Sequence, residues 1–357
     1  KKFGKDIQKV ASSIFLITRI LADGVRFLAT AVIVQLITGW SLPFSVLIIG
    51  LVTLIYTLNG GIRTVVWIDS VQFILYLVGG VLSIIFILNY LNQPMTSLIL
   101  QLSEGSKLSI FNFDGNMFKD PFFAFSAIIG GILLSFSSHG VDYMMVQRVL
   151  GTKNIKSAQK AMIGSGIVVF VQFLIFLIAG SLIYILMEGA KLDNDREFTT
   201  FIINYLPIGI KGILLAGVLS AAMSTLSSSI NSLSSSIITD WMGGNKSIKE
   251  SQLVGFFFGL GLIIIALLFD ESDSAIVIVG LQIASFTYGG LLGLFLLSRF
   301  NTNFHNSSLI CGLLFSFLIV FYLKYIELPW TWFIAFSVSA NIFITILCES
   351  TIRNVKR

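Results

Sequence analysis

Charge is what this chain has least of. Asp, Glu, Lys and Arg make up 11% of its residues while 55% are hydrophobic, against about 25% charged residues in an average soluble protein. Mean hydropathy is +0.92. That balance excludes an ordinary soluble domain and points to an all-α polytopic membrane protein. Cysteine is nearly as scarce. Cys311 and Cys348 are the two present, and both fall inside apolar stretches, where they read as small packing residues with no redox message. The sequence opens KKFGKDIQKV, without an initiator Met and without a signal-peptide pattern before the first apolar run, so a truncated protein is expected.

What is present in quantity is long apolar runs near the roughly 20 residues that span a bilayer. They lie at 10–38, 44–58, 65–92, 121–147, 161–187, 209–240, 252–270, 275–298, 306–323 and 329–351. Ten spans in one membrane domain, 1–357, leave no room for a soluble catalytic domain. With the start of the chain in the cytoplasm, cytoplasmic segments hold fifteen Lys and Arg, among them Lys1, Lys2, Arg63, Arg148, Lys153, Arg299 and Arg357, against the acids Asp6 and Glu250. The opposite loops hold eleven acids, including Asp193, Asp195, Glu197, Asp270, Glu271 and Asp273, against Lys107, Lys119, Lys191, Arg196 and Lys324. This asymmetry predicts a multi-pass protein of the plasma or inner membrane with residue 1 inside. It also removes nucleic acid as a partner, because the net charge of +5 is spread over turns and forms no basic groove.

Polar residues inside the spans carry the functional signal, since in lipid each needs a reason to be there. The densest group is in Gly212 to Asp240, GILLAGVLSAAMSTLSSSINSLSSSIITD, with seven hydroxyls between Ser220 and Ser232 beside an apolar stripe. Ala221, Ser224, Ser228 and Asn231 follow at helical spacing, with Thr225 and Ser227 beside them, so several oxygens converge near the bilayer midplane. Serines that merely pack helices would explain one or two of these. An oxygen lining suits a hard monovalent cation, and Asp69, a lone carboxylate early in the third span, adds the anionic donor that a cation site requires, unless it is a satisfied core acid.

The first span contains Arg19, Asp23 and Arg26, at i,i+4 and i,i+3, on one helix face. Either this triad anchors helices, or its surplus guanidinium holds an anionic substrate group, to which Arg offers a planar fork. The fourth span ends SHGVDYMMVQR, where His139 and Asp142 read as a polar lining. A hydrolase built on His139 and a serine is disfavoured, because no nucleophile-elbow pattern surrounds the serines. The basic LGTKNIKSAQKA that follows predicts a short interfacial helix. Gln282, Ser285, Thr287 and Tyr288 are polar in a greasy span, with Gly289-Gly290 as a plausible helix break of the kind found at transport sites.

Four stretches together resemble one family. Tyr56…Gly60-Gly61…Val66-Trp67-Ile68-Asp69…Gln72, then GVDYMMVQR ending at Arg148, then LLAGVLSAAMSTLSSSINS, then SFTYGGLLGLFLL, are similar in order and content to the sodium:solute symporters. The resemblance implies a LeuT-type inverted-repeat fold working by alternating access, with the first helices of the fold missing, including the broken one that completes the common sodium site. It implies sodium ligands at the Ala221 carbonyl, Ser224 and Thr225, and a further sodium site at Asp69, Ser227 and Ser228. Asp142 matches a sugar-contacting amide of the sugar transporters; being an acid here, it does not carry sugar specificity over, and Gln282 lies near a substrate-contacting position. The expectation is a sodium-coupled symporter, not an enzyme, importing a small organic solute, with Arg19, Arg26, Asp142 and Gln282 as substrate-contact candidates. Sodium is the coupling ion, no cofactor is implied, and the partners are the solute and the lipid bilayer. Arg19 and Arg26 favour an anionic solute, a carboxylate or acidic sugar. The rivals are a passive channel, which should show a repeated pore motif, and a sensor that binds solute without moving it.

Overall fold

The computed structural model describes residues 2–189, 196–244, 246–269 and 276–355. Of the charges that set the orientation, Lys1, Lys191, Asp193, Asp195, Asp270, Glu271, Asp273, Lys356 and Arg357 lie outside the described residues. Regular structure among those described is helical, apart from one isolated bridge between Asn112 and Phe123. In order come α1 (Gly4–Thr38), α2 (Leu42–Leu91), α3 (Met95–Glu104), α4 (Ala124–Val141), α5 (Tyr143–Leu150), α6 (Ile155–Leu186), α7 (Glu197–Tyr205), α8 (Ile208–Ser236) with a π-turn at Ile237–Trp241, α9 (Ile248–Leu268), α10 (Ile276–Leu297), α11 (Asn306–Tyr325) and α12 (Phe333–Val355).

Among the described residues, nine helical segments are long and apolar enough to cross a membrane, and Leu42–Leu58 is a shorter apolar one. These correspond to the ten spans expected from hydropathy, but α2 carries two of them. Its backbone is helical from Leu42 to Leu91, yet its two ends run in opposite directions. Gly50, Leu54 and Leu58 pack successively on Ile263, Gly259 and Gly255 of α9. Asp69, Leu75 and Gly79 then climb α8 past Ser228, Gly217 and Leu214. Tyr56 and Asp69 both meet the stretch of α8 from Met223 to Ser228, although thirteen residues of straight helix would hold them about 20 Å apart. The turn signal Asn59-Gly60-Gly61 lies between these halves, outside the residues whose surroundings the structure describes.

Other boundaries follow local chemistry. Asn154 caps α6 by accepting from the Ser157 amide at 2.8 Å, and Ser247 and Glu250 form a reciprocal capping box at the start of α9. The basic stretch after α5 is not a separate interfacial helix: after a turn at 151–154, it enters α6 directly. Nor do Gly289 and Gly290 break α10. Their missing side chains admit Ser337 of α12 and Ser316 of α11 against the α10 backbone, which is how small residues bring membrane helices together. The connections after the second half of α2 and after α6 hold α3 and α7, whose Leu98, Leu102, Phe201 and Ile202 are buried in a core shared with α6 and α8. A second core joins α1, the first half of α2, α8 and α9 through Phe27, Val46, Leu54, Ile230 and Leu262. Helix α8 belongs to both cores, so the serine run lies at the centre of the molecule.

Candidate functional site

The hydroxyls of α8 do not face lipid. Ser227, Ser228, Ser229, Ser232, Ser234 and Ser236 are all buried, and two carboxylates from neighbouring helices reach them. On one side stands Asp69 of α2. Ser228 donates to its Oδ2 at 3.2 Å, Ser224 lies against the same carboxylate, and the Asp69 Oδ1 is buried without a hydrogen-bond partner among the described residues. Thr225 donates to the Ala221 carbonyl at 3.2 Å, and Ser227 to the Ser224 carbonyl at 3.0 Å. Tyr56 closes this end of α2 by donating to the Met223 carbonyl at 2.9 Å. The residues expected to hold sodium, Ala221, Ser224, Thr225, Asp69, Ser227 and Ser228, are therefore neighbours within two turns of α8 and the start of the second half of α2.

A residue that sequence reasoning had placed only at the cytoplasmic edge also enters this group. Arg148 donates through Nη2 to Asp69 Oδ2 at 3.0 Å and to Ser228 Oγ at 2.5 Å. Guanidinium, carboxylate and hydroxyl make a closed triangle. Nothing in the local sequence marks Arg148 for this role, because its partner carboxylate lies in a different helix.

On the other side of α8 stands Asp23 of α1, which receives Ser229 Oγ on Oδ2. Asp23 also accepts from Arg19 at 3.1 and 3.3 Å and from Arg26 at 2.9 Å. Arg19 then turns its second terminal nitrogen to Asp142. That carboxylate is fully buried. It caps α5 by accepting from the Met144 amide at 3.0 Å, and it accepts a hydrogen bond from the hydroxyl of Tyr288 in α10. Asp142 thus explains the break between α4 and α5. Its backbone is extended, with φ −76° and ψ 113°, and its side chain supplies the cap that lets helix resume.

This arrangement revises the charge balance read from the first span. Arg19 and Arg26 do outnumber Asp23 on their own helix, but Asp142 brings a second negative charge and the four groups are neutral together. Arg19 and Asp142 are 3% and 0% exposed and face each other, not an opening. Arg26 differs, with 39% of its side chain exposed beside Gly280 of α10. Gln282, two residues along that helix, is half-buried. Tyr288 and Thr287, read only as polar interruptions, fasten α10 to this network, Thr287 by a 2.7 Å bond from Thr18. His139 bonds the Ser135 carbonyl of its own helix at 2.9 Å.

Oxygen is the donor these residues offer. Among the described residues no group of three or more His, Cys, Asp or Glu could hold a metal ion; hydroxyl and carbonyl oxygens with a single carboxylate are donors of the kind that suit a hard, singly charged cation.

Comparison with known proteins gives three results. A family model described as the sodium:solute symporter family matches residues 1–322. Curated relatives include a putative sodium-dependent multivitamin transporter of Drosophila melanogaster, 26% identical over 91% of this chain and 57% of its own length. The sodium-coupled monocarboxylate transporter 1 of Mus musculus is 25% identical over 89% and 54%, and the sodium/sialic acid symporter SiaT of Proteus mirabilis 25% over 78% and 59%. The chain spans little more than half the length of these relatives. A solved structure of a Na+-coupled sialic acid symporter, in a substrate-bound outward-open state, superposes with a TM-score of 0.82 at 22% identity, covering 96% of this chain and 73% of that one. At that identity the likeness is one of fold, and the fold is of the LeuT type.

Proposed function

This chain belongs to the sodium:solute symporter family, and on that footing we propose that its protein is a sodium-driven importer of a small organic anion, working by alternating access. The observation that carries the reading is the meeting of Asp69 with the hydroxyl face of α8, where one buried carboxylate oxygen has no protein partner. Ser227 and Ser228 supply further oxygens for sodium at Asp69, and the Ala221 carbonyl, Ser224 and Thr225 belong to the common sodium site one to two turns back along α8. Ion binding there favours one of two global states, and the gradient drives transport through that difference in affinity.

The solute contacts are Arg26 and Gln282, on adjoining faces of α1 and α10. Among the described residues Arg26 bonds Asp23 alone, which leaves its other donors for a carboxylate. Arg19 and Asp142 act from beneath, holding α1, α5 and α10 in register. The names of the relatives speak for an anion: a multivitamin, monocarboxylate and sialic acid transporter, and a sodium/iodide cotransporter. The proposed location is the plasma or inner membrane, with residue 1 on the cytoplasmic side.

The test is uptake by the whole gene product in proteoliposomes, with a panel of monocarboxylates, acidic sugars and neutral controls, under an inward sodium gradient or with sodium replaced by N-methylglucamine. Saturable, sodium-dependent uptake of an acid, lost in Asp69→Asn and weakened in Arg26→Gln mainly through KM, is the expected result. Uptake that ignores sodium and fails to saturate would establish a channel, and saturable binding without uptake a sensor.

A further inference from the structure

We propose that Arg148 is a tethered competitor for the cation at Asp69, and that its displacement by sodium shifts α5 and thereby reaches the charge network around Arg19. This rests on the reading of Asp69 as a sodium ligand and adds how that site communicates.

The geometry begins with the closed triangle. Arg148 Nη2 is 3.0 Å from Asp69 Oδ2 and 2.5 Å from Ser228 Oγ, which is itself 3.2 Å from the same carboxylate oxygen. A guanidinium so placed satisfies the two groups that an incoming cation would use. Two positive charges sharing one carboxylate in a partly buried setting repel, so a sodium ion drawn into the cradle loosens the arginine. Asp69 Oδ1, buried and without a partner, is where the ion enters. Arg148 has room to leave, since 41% of its side chain is exposed while that of Asp69 is 15% exposed.

The consequence follows from where Arg148 is mounted. Helix α5 is only eight residues long, and both its ends are committed to charge. Its C-terminal turn holds Asp69 through Arg148. Its N-cap is Asp142, which binds Arg19 and Tyr288, about 9 Å away along the helix axis. Arg19 shares Asp23 with Arg26, and Ser229, next to Ser228 on α8, donates back to Asp23. The contacts form a ring: Asp69, Arg148, α5, Asp142, Arg19, Asp23, Ser229 and Ser228. Opening it at Arg148 frees one end of a short rod whose other end, through Asp142, Arg19 and Asp23, positions Arg26 at the solute.

The experiment measures sodium half-saturation in the purified whole gene product by sodium-dependent thermal stabilisation, and the solute KM for uptake at low and high sodium. A competitor that holds the site in most molecules lowers apparent affinity by the fraction left competent. Arg148→Gln is therefore expected to lower the sodium half-saturation about five- to tenfold. It should also shrink the effect of sodium on the solute KM. Asp69→Asn combined with Arg148→Gln should abolish the gain. If Arg148→Gln does not yield folded protein, Arg148→Lys, which keeps the charge and loses the fork, should give a smaller fall in the same direction. Sodium binding in either folded variant that is unchanged or weaker, while the wild type responds to sodium, would overturn this inference alone. A wild type indifferent to sodium would overturn the sodium reading as well.

Discussion

Replacing Asp142 with asparagine isolates one quantity, the value of a buried negative charge. The amide keeps one oxygen to cap α5 at Met144, while its nitrogen, in place of the oxygen that accepts from Tyr288, can donate to a turned Tyr288 hydroxyl, so the local fold of the α4–α5 break is preserved. What disappears is the charge that balances Arg19, leaving Arg19 and Arg26 against Asp23 alone, with the Arg19 side chain 4% exposed. Removing one partner of a buried ion pair costs 3–5 kcal/mol, and with the hydrogen bonds partly retained the lower end applies, about 3 kcal/mol. At about 2 °C per kcal/mol for a chain of this size, Tm should fall by roughly 6 °C.

Arg19→Gln should cost a similar amount, because it leaves two carboxylates against Arg26. The double variant is neutral again, retaining Asp23 with Arg26, and should be more stable than the sum of the singles by about 2 kcal/mol. The assay is the thermal loss of the monodisperse peak in size-exclusion chromatography of detergent-solubilised protein. Additivity of the two substitutions, or an Asp142→Asn variant within about 1 °C of wild type, would refute the claim that charge balance holds this network.

Two further outcomes test the packing of the last two spans. A Cβ at Gly312 would meet the Asn341 carbonyl at 2.7 Å and the Thr345 hydroxyl, so Gly312→Val should separate α11 from α12 and cost about 3 kcal/mol, seen as a lowered Tm and poor yield; a neutral effect would mean the helices are not in contact there. Cys311 and Cys348 bring their sulfurs to 3.3 Å between the same two helices, so a mild oxidant should consume both free thiols together, whereas in Cys311→Ser the remaining thiol should persist, as read by mass spectrometry after alkylation.

Hydropathy located the spans, and one polar residue in apolar surroundings was enough to mark Asp69, Asp142 and Tyr288 as significant. What hydropathy reports is the cost of placing a group in lipid, not the partner that relieves it. Arg19 and Asp23 are four residues apart, and their pairing could be read from helical spacing. Asp142 lies 123 residues from Arg19, and Arg148 lies 79 from Asp69; neither pairing leaves a periodic trace. The same limit explains Gly289 and Gly290. A glycine pair signals either a break or a close approach, and the choice was made by Ser337 and Ser316, on two other helices.

The serine run shows why a density of hydroxyls is a stronger signal than any one of them. Ser232 and Ser234 bond back to carbonyls of their own helix, which satisfies them and permits burial but recognises nothing. Ser228, Ser229 and Ser236 instead donate to carboxylates: Asp69 on α2, Asp23 on α1, and Asp240 in the π-turn. Consecutive residues of a helix point about 100° apart, so Ser228 and Ser229 serve two different neighbours from one turn. A single serine could cradle an ion or anchor an arginine cluster. Only adjacent ones can do both while keeping the two carboxylates apart, with α8 between them, so that a cation arriving at Asp69 does not simply neutralise Asp23. The separation makes two sites out of one polar helix, and it leaves the short α5 as the link by which the first can influence the second.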